Sequence, residues 1–355
     1  MVKFNTKKQF FASANGYGGF VSYFNAIFDL KKLNRLYILK GGPGTGKSTF
    51  MKKAVALAEE CGADVEIFRC SSDINSLDGV LIKNKSGRLM GILDGTAPHT
   101  KDSELPGACD RLVDLGAAWN EDKLTSAKKE IEHLSEAKKN CYSAAYRYLG
   151  ISSVFEDYIK AEIKKSFIAV EATKLCKRII DLINPKETGE YTLRLVSSFS
   201  DIGYTTLPTI DIISKKKYSV SGIHGSDRML IGILVKHLLN NGYAFTAFPS
   251  AYDKNSYEAI YFQDTGIALV SDGCGENIAD TAGILNLSDL FDRGSSEDLI
   301  YNNRAVFLDL AAKKISEAKK YHFELENIYT AAMNFSLLTE ITDEILEKIK
   351  AFLFG

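Results

Sequence analysis

The chain has 355 residues, enough for two average domains, and its 45% hydrophobic and 25% charged residues let each domain bury its own core. A formal net charge of −1 supplies no global attraction to nucleic acid or to an anionic membrane. No stretch nears the ~18 uncharged apolar residues of a membrane span, and Phe10-Phe11-Ala12 is too short an apolar run for a signal peptide, so a cytoplasmic protein is expected.

The first notable segment is Phe11-Ala12-Ser13-Ala14-Asn15-Gly16-Tyr17-Gly18-Gly19-Phe20. Its glycines beside aromatics suit either an ordinary strand–turn entry or a loop that closes over a bound ligand. Residues 36 to 40, Leu-Tyr-Ile-Leu-Lys, then read as a short buried strand. Gly41-Gly42-Pro43-Gly44-Thr45-Gly46-Lys47-Ser48-Thr49 follows, and Phe50 to Ala58 has helical spacing and strong helix formers. Strand, glycine loop and helix form the context that the G-x-x-x-x-G-K-[ST] pattern requires.

The chemistry expected there follows from residue type. Glycines let successive backbone N–H groups turn inward toward an anion, and the helix N-terminus adds a positive dipole end. Lys47 is placed to reach the β- and γ-phosphates of ATP, and Ser48 to ligate Mg²⁺. A second apolar run, Leu89-Met90-Gly91-Ile92-Leu93, ends in Asp94, where a carboxylate at the end of a buried strand can hold Mg²⁺ directly or through water. No Glu follows Asp94, so a water-orienting base must come from elsewhere or hydrolysis is slow. One strand, Val65–Arg69, is expected between these motifs, and the polar cluster Cys70 to Asp78 follows it. Asp73 in that cluster approaches the γ-phosphate as a catalytic group or serves as an Asx-type turn residue or helix N-cap. His99, in the loop after Asp94, is a weaker catalytic candidate.

From about Glu104 to Asn184 the sequence turns helical and charged, with no strand-like run. Two helices are expected, Leu124 to Tyr148 and Val154 to Leu182, broken at Gly150-Ile151-Ser152-Ser153. The lysine pairs Lys128-Lys129, Lys138-Lys139 and Lys164-Lys165 alternate with Glu and read as solvated faces rather than as a nucleic-acid stripe, which leaves a protein partner open through these helices. The six cysteines (Cys61, Cys70, Cys109, Cys141, Cys176, Cys274) show no metal-type spacing and are expected as small buried hydrophobes in a reducing compartment.

The chain is also written twice. GADVEIFRCSSDINSLD at 62–78 recurs as GYAFTAFPSAYDKNSYE at 242–258, pairing Asp73 with Asp253, Asn75 with Asn255, Ser76 with Ser256 and Asp78 with Glu258. Leu93-Asp94-Gly95 recurs at Ser271-Asp272-Gly273, and Ser135 to Lys139 recurs as Ser316 to Lys320. The second copy has Ser221-Gly222-Ile223-His224-Gly225-Ser226-Asp227-Arg228-Met229 where the first has its glycine loop, which sets Asp227 opposite Lys47 and Arg228 opposite Ser48. Such a loop repels a triphosphate. Helices are expected again at Asn302 to Met333 and Leu338 to Phe352.

The run from Arg35 through Lys53, with the segments at 71–80 and 92–99, resembles a family of uncharacterised bacterial ATPases built from two tandem P-loop halves, over nearly the whole chain. The resemblance implies ATP binding at Gly41 to Thr49 with Asp94, and names no substrate. The expected architecture is therefore α/β: two tandemly duplicated P-loop NTPase-like domains, mostly parallel sheets flanked by helices, with helical insertions. Residues 1–186 form the first, including the helical segment 104–184, and 187–355 the degenerate second. The expected function is Mg²⁺-dependent ATP binding and hydrolysis by the first half, with the second as an intramolecular partner and Arg228 or Arg293 as a candidate arginine finger. Two alternatives stay open. Asp94-Gly95-x-x-Pro98 suits a small-molecule or nucleotide kinase, and the helices suit a nucleotide-gated binding module without catalysis.

Overall fold

The computed structural model describes residues 8–98, 100–222, 225–251, 253, 256–272, 282–287 and 298–355. His99, Ile223, His224, Asn255, Gly273, Cys274 and Arg293 lie outside the described residues.

In chain order the first sheet takes β1 (Gln9–Phe11), then a hairpin of β2 (Ser13–Gly16) and β3 (Gly19–Ser22), a short α1 (Phe24–Ile27) and β4 (Arg35–Lys40). Helix α2 (Lys47–Glu60) leads to β5 (Asp64–Arg69), β6 (Leu77–Lys83), β7 (Leu89–Asp94) and β8 (Asp110–Asp114). A 3₁₀ turn at Leu115–Ala118 introduces α3 (Glu121–Ser126), the long α4 (Lys128–Ser166) and α5 (Ala169–Ile183). The same succession then returns as β9 (Thr192–Leu193), the hairpin β10 (Ser197–Ser200) and β11 (Gly203–Thr206), α6 (Thr209–Ile213), β12 (Lys216–Ser221) and α7 (Ser226–Asn240). It closes with β13 (Thr246–Pro249), β14 (Tyr257–Phe262), β15 (Ile267–Ser271), β16 (Gly283–Asn286), α8 (Asp298–Ala331) and α9 (Phe335–Phe354).

Among the described residues two mixed six-stranded sheets form, ordered β1-β5-β6-β7-β4-β8 and β9-β13-β14-β15-β12-β16. Strand for strand, the orders are the same. In each, one strand (β6 or β14) runs antiparallel to its neighbours and the other pairings are parallel. The first sheet's alternation sends Leu36 and Ile38 to one face and Tyr37 and Leu39 to the other. Leu36, Ile38 and Phe68 meet Phe248, Ala259 and Ala268 of the second sheet in one core, so the sheets lie face to face with helices outside both.

The outer faces are closed by exchange. Ile345, Ile349 and Phe352 of α9 join α2 over the first sheet, although α9 ends the chain. Leu175, Cys176 and Ile179 of α5 join α7 over the second sheet. Between them α4 and α8 pack antiparallel along a seam from Phe155–Phe307 to Ala145, Leu149, Ala311 and Ile315. Two helices covering partners distant in sequence tie the two halves into one folding unit, because neither outer face is dry without a segment from elsewhere in the chain.

Three expectations need correction. Helix α4 runs unbroken through Gly150–Ser153: Ser153 Oγ satisfies the carbonyl of Gly150 within the helix (2.7 Å), Ser152 Oγ reaches across to the carbonyl of Arg304 (3.3 Å), and packing on α8 outweighs the ~1 kcal/mol that a helical glycine costs. The break falls instead at Phe167-Ile168. The segment 104–184 is not strand-free, since β8 pairs with β4 from Asp110 to Asp114; it is an edge strand with Asp110 and Val113 buried but Leu112 exposed, so its five residues carry no apolar alternation. Two strands, not one, separate α2 from β7. Strand β6 is fully buried apart from Lys83, but Asp78 and Gly79 disguise it as loop.

A composite candidate site at the glycine loop

Strand β4 delivers the loop and α2 receives it. Gly44 (φ 69°) and Gly46 (φ 77°) take the left-handed backbone that L side chains avoid, and Gly46 caps α2 so that Lys47 begins the helix. The Lys47 ammonium folds beneath the loop and donates to the carbonyls of Gly41 (2.7 Å) and Gly42 (2.8 Å). The Thr45 hydroxyl donates to Gly42 O (2.9 Å), holding the turn from the other side. Strand β7 lies directly beside β4 and brings Asp94 Oδ2 to 3.6 Å from Lys47 Nζ, with both side chains largely buried. Thr96 donates to the other oxygen, Oδ1, through its backbone N–H (2.9 Å) and its hydroxyl (2.5 Å), which aims Oδ2 at the loop. Ser48 Oγ accepts from Leu77 N–H (3.0 Å) and keeps a second lone pair. Lys47, Ser48 and Asp94 thus lie together at the loop.

Asp73 is engaged differently. Lys319 of α8 reaches its Oδ1 (3.0 Å) and also Asp201 Oδ2 at the tip of the β10–β11 hairpin (2.9 Å). Burial pushes the Asp73 carboxyl upward, but the Lys319 bond and charge, with Ser76 and the Asn75 N–H, outweigh it and hold it below its ordinary value. The turn has a twin. Cys70 N–H to Ser76 O (3.1 Å) and Ser76 N–H to Asp73 O (2.9 Å) are matched by Ser250 N–H to Ser256 O (2.9 Å) and Ser256 N–H to Asp253 O (3.0 Å). There Lys160 of α4 pairs with Asp253 at 2.9 Å. The geometry gives Asp73 a turn and an ion pair with α8.

Sequence reasoning missed the far wall of the loop. Helix α8 lies so close that a Cβ on Gly44 would sit 2.7 Å from Glu326 O and 2.6 Å from Thr330 Oγ1. Trp119, whose ring is tilted against that of Tyr329 (5.4 Å between centroids), flanks Gly42. Half-buried Lys138 of α4 faces Glu326 and Lys47: burial lowers its affinity for a proton, Glu326 opposes that, and Lys47 adds to it. Lys138 is therefore no solvated-face lysine. Its one sequence signal was membership of the repeated Ser-Glu-Ala-Lys-Lys run, which also contains Lys319. The wall is built by residues 70 to 290 positions away from the loop, which periodicity cannot bring together.

The second loop follows another plan. Gly225 (φ 84°) caps α7 as Gly46 caps α2, so the helix starts set Ser226 opposite Lys47 and Asp227 opposite Ser48, one position earlier than the sequence alignment. Asp227 is buried, which raises its pKa, and Asp272 adds to that while Arg228 opposes it. Buried Glu156 of α4 reaches this helix start, its Oε1 3.7 Å from where a Gly225 Cβ would lie and 3.3 Å from Arg228 Nη2; its Oε2 is 2.5 Å from Arg304 Nη1. A carboxylate of the protein thus lies beside the start of α7, paired with two guanidiniums. Arg228 is held there, in the first turn of α7. The glycine-rich hairpin β2–β3 likewise leans toward the second half, where Tyr17 and Gly18 line a pocket with Ser250 and Asp253.

Comparison with protein-family models, with curated proteins and with solved structures found no match to this chain.

Proposed function

We propose that the chain is a tandem duplication of a P-loop unit whose first half binds Mg·ATP at Gly41–Thr49 and hydrolyses it, with the second half as its built-in partner. The observation that carries this reading is the Lys47 ammonium, 2.7 and 2.8 Å from the Gly41 and Gly42 carbonyls and 3.6 Å from Asp94, at the N-terminus of a 14-residue helix. The resemblance of residues 35–53 to tandem P-loop ATPases points the same way. The residues also suit Mg²⁺. Among the described residues no group of three or more His, Cys, Asp or Glu forms a closed cage, whereas one hydroxyl (Ser48) and one carboxylate (Asp94) match an ion that keeps waters and takes phosphate oxygens. When bound, Mg²⁺ neutralises charge on the β- and γ-oxygens.

In this reading the loop N–H groups and the α2 dipole hold the phosphates, and Lys47 leaves its carbonyls for them. Lys138 adds positive charge from α4. Trp119 and Tyr329 wall the loop against water, and α8 must yield at Gly44 to admit the ligand. Calorimetry with ATP·Mg²⁺ tests the proposal. Lys47→Ala is expected to weaken binding ~10- to 150-fold, the equivalent of a lost charge-assisted hydrogen bond of 1.5–3 kcal/mol. Equal affinity in the two proteins rejects the site. Free phosphate as product supports hydrolysis; phosphate on an added acceptor supports the kinase alternative, and binding without turnover supports the nucleotide-gated module.

A further inference from the structure

At the carboxyl edge of the second sheet, where ligands bind in open α/β folds, lies a pocket of about 310 Å³. That is the lower end of volumes that hold small molecules, ~300–1,000 Å³. Its wall includes Tyr17, Tyr23, Asp157, Lys160, Ser250 and Asp253. The equivalent place in the first half is closed by charge: Lys319 sits between Asp73 and Asp201, and Asp201 comes from the β10–β11 tip. At the tip of β2–β3 the corresponding turn is Tyr17-Gly18, and a Cβ on Gly18 would meet nothing within 4 Å. The second carboxylate is replaced by a ring and an opening.

The chemistry of the wall restricts the occupant. Lys160 is neutralised by Asp253 at 2.9 Å. Exposed Asp157 has no ion-pair partner among the described residues, so the described titratable lining (Asp157, Lys160, Asp253) is net negative. Tyr17 and Tyr23 add aromatic side chains to the wall, and aromatic rings attract cations. A phosphate is disfavoured by that net negative wall, and Glu156, one helical turn before Lys160, is a further carboxylate on α4, paired with Arg228 and Arg304.

We propose that this pocket is a second binding site, separate from the glycine loop, for a small unphosphorylated organic cation carrying a primary or quaternary amine. It needs no nucleotide at the first site. The test is calorimetry on the full chain with choline and with agmatine, against phosphate and succinate. At least one amine is expected to give a saturable isotherm below ~10 mM, weakened about tenfold by Asp157→Asn, one charge contact's worth. Gly18→Phe, at a position with open space and ordinary backbone, is expected to block binding while leaving the unfolding midpoint unchanged. Lys47→Ala is expected to keep amine affinity within about twofold, which separates this site from the ATP reading. The proposal is overturned if neither amine saturates, if an anion binds more tightly than both, or if Asp157→Asn and Gly18→Phe bind the amine as the unaltered chain does.

Discussion

Glu156→Ala is the perturbation that most directly probes how the second loop differs from the first. The Glu156 side chain is 4% exposed and bonds Arg228 and Arg304, themselves 14% and 18% exposed. Removing one partner of a buried charge network costs ~3–5 kcal/mol, since the guanidiniums lose their carboxylate. Residual exposure of both arginines places the expected loss near the bottom of that range, about 3 kcal/mol. The cavity left behind would have two guanidiniums and the N-terminus of the 15-residue α7 aimed into it, which is the chemistry of an anion site. If phosphate then binds with a Kd of ~1 mM, 20 mM phosphate restores ~1.8 kcal/mol by mass action. Urea unfolding with and without phosphate measures both quantities, in a Lys47→Ala background so that the first loop contributes nothing. A loss below about 1 kcal/mol, or phosphate stabilising the variant no more than its Glu156 parent, refutes the view that Glu156 stands in for a bound anion.

Two further outcomes follow from the fold and the ion pairs. Ile349 of α9 is fully buried in the first sheet's outer core, so Ile349→Ala is expected to destabilise by ~2–5 kcal/mol and to lower a single urea transition shared by both halves; two separate transitions with only one shifted would show that the exchanged helices do not couple the sheets. Asp73 is held below its ordinary 3.8, so its contribution is complete above that value and is lost as pH falls through the lower folded-state value. Asp73→Asn is therefore expected to reduce stability at pH 6 and to flatten its decline as pH falls below 3.8, read by thermal unfolding across pH.

What could be read without coordinates was local. The loop from Gly41 to Thr49, the strand before it and the helix after it were legible because left-handed glycines, an apolar run and helix formers act over a few residues. Asp94 was legible for the same reason, as a carboxylate ending an apolar strand. The repeat also foretold the shared turn at Asp73 and Asp253, since an Asp–Ser turn carries its hydrogen bonds with it. It misplaced the second loop by one residue, because an alignment counts letters whereas the left-handed cap at Gly225 decides where α7 begins. Strands β6 and β8 were missed where Gly79, Asp78 and a half-exposed edge blurred the alternation.

The amino-acid sequence by itself determined a glycine loop with its lysine, serine and neighbouring carboxylate, and a similar later segment, Ser221–Met229, without the lysine. Only the tertiary structure decided who surrounds each loop. Glu326, Tyr329 and Lys138 face the first, Glu156, held by Arg228 and Arg304, lies beside the helix start of the second, and each sheet is closed by a helix outside its own run of strands. The physical reason is that backbone conformation responds to near neighbours, whereas apolar faces and unpaired charges are satisfied by whatever the folded chain brings within a few ångströms.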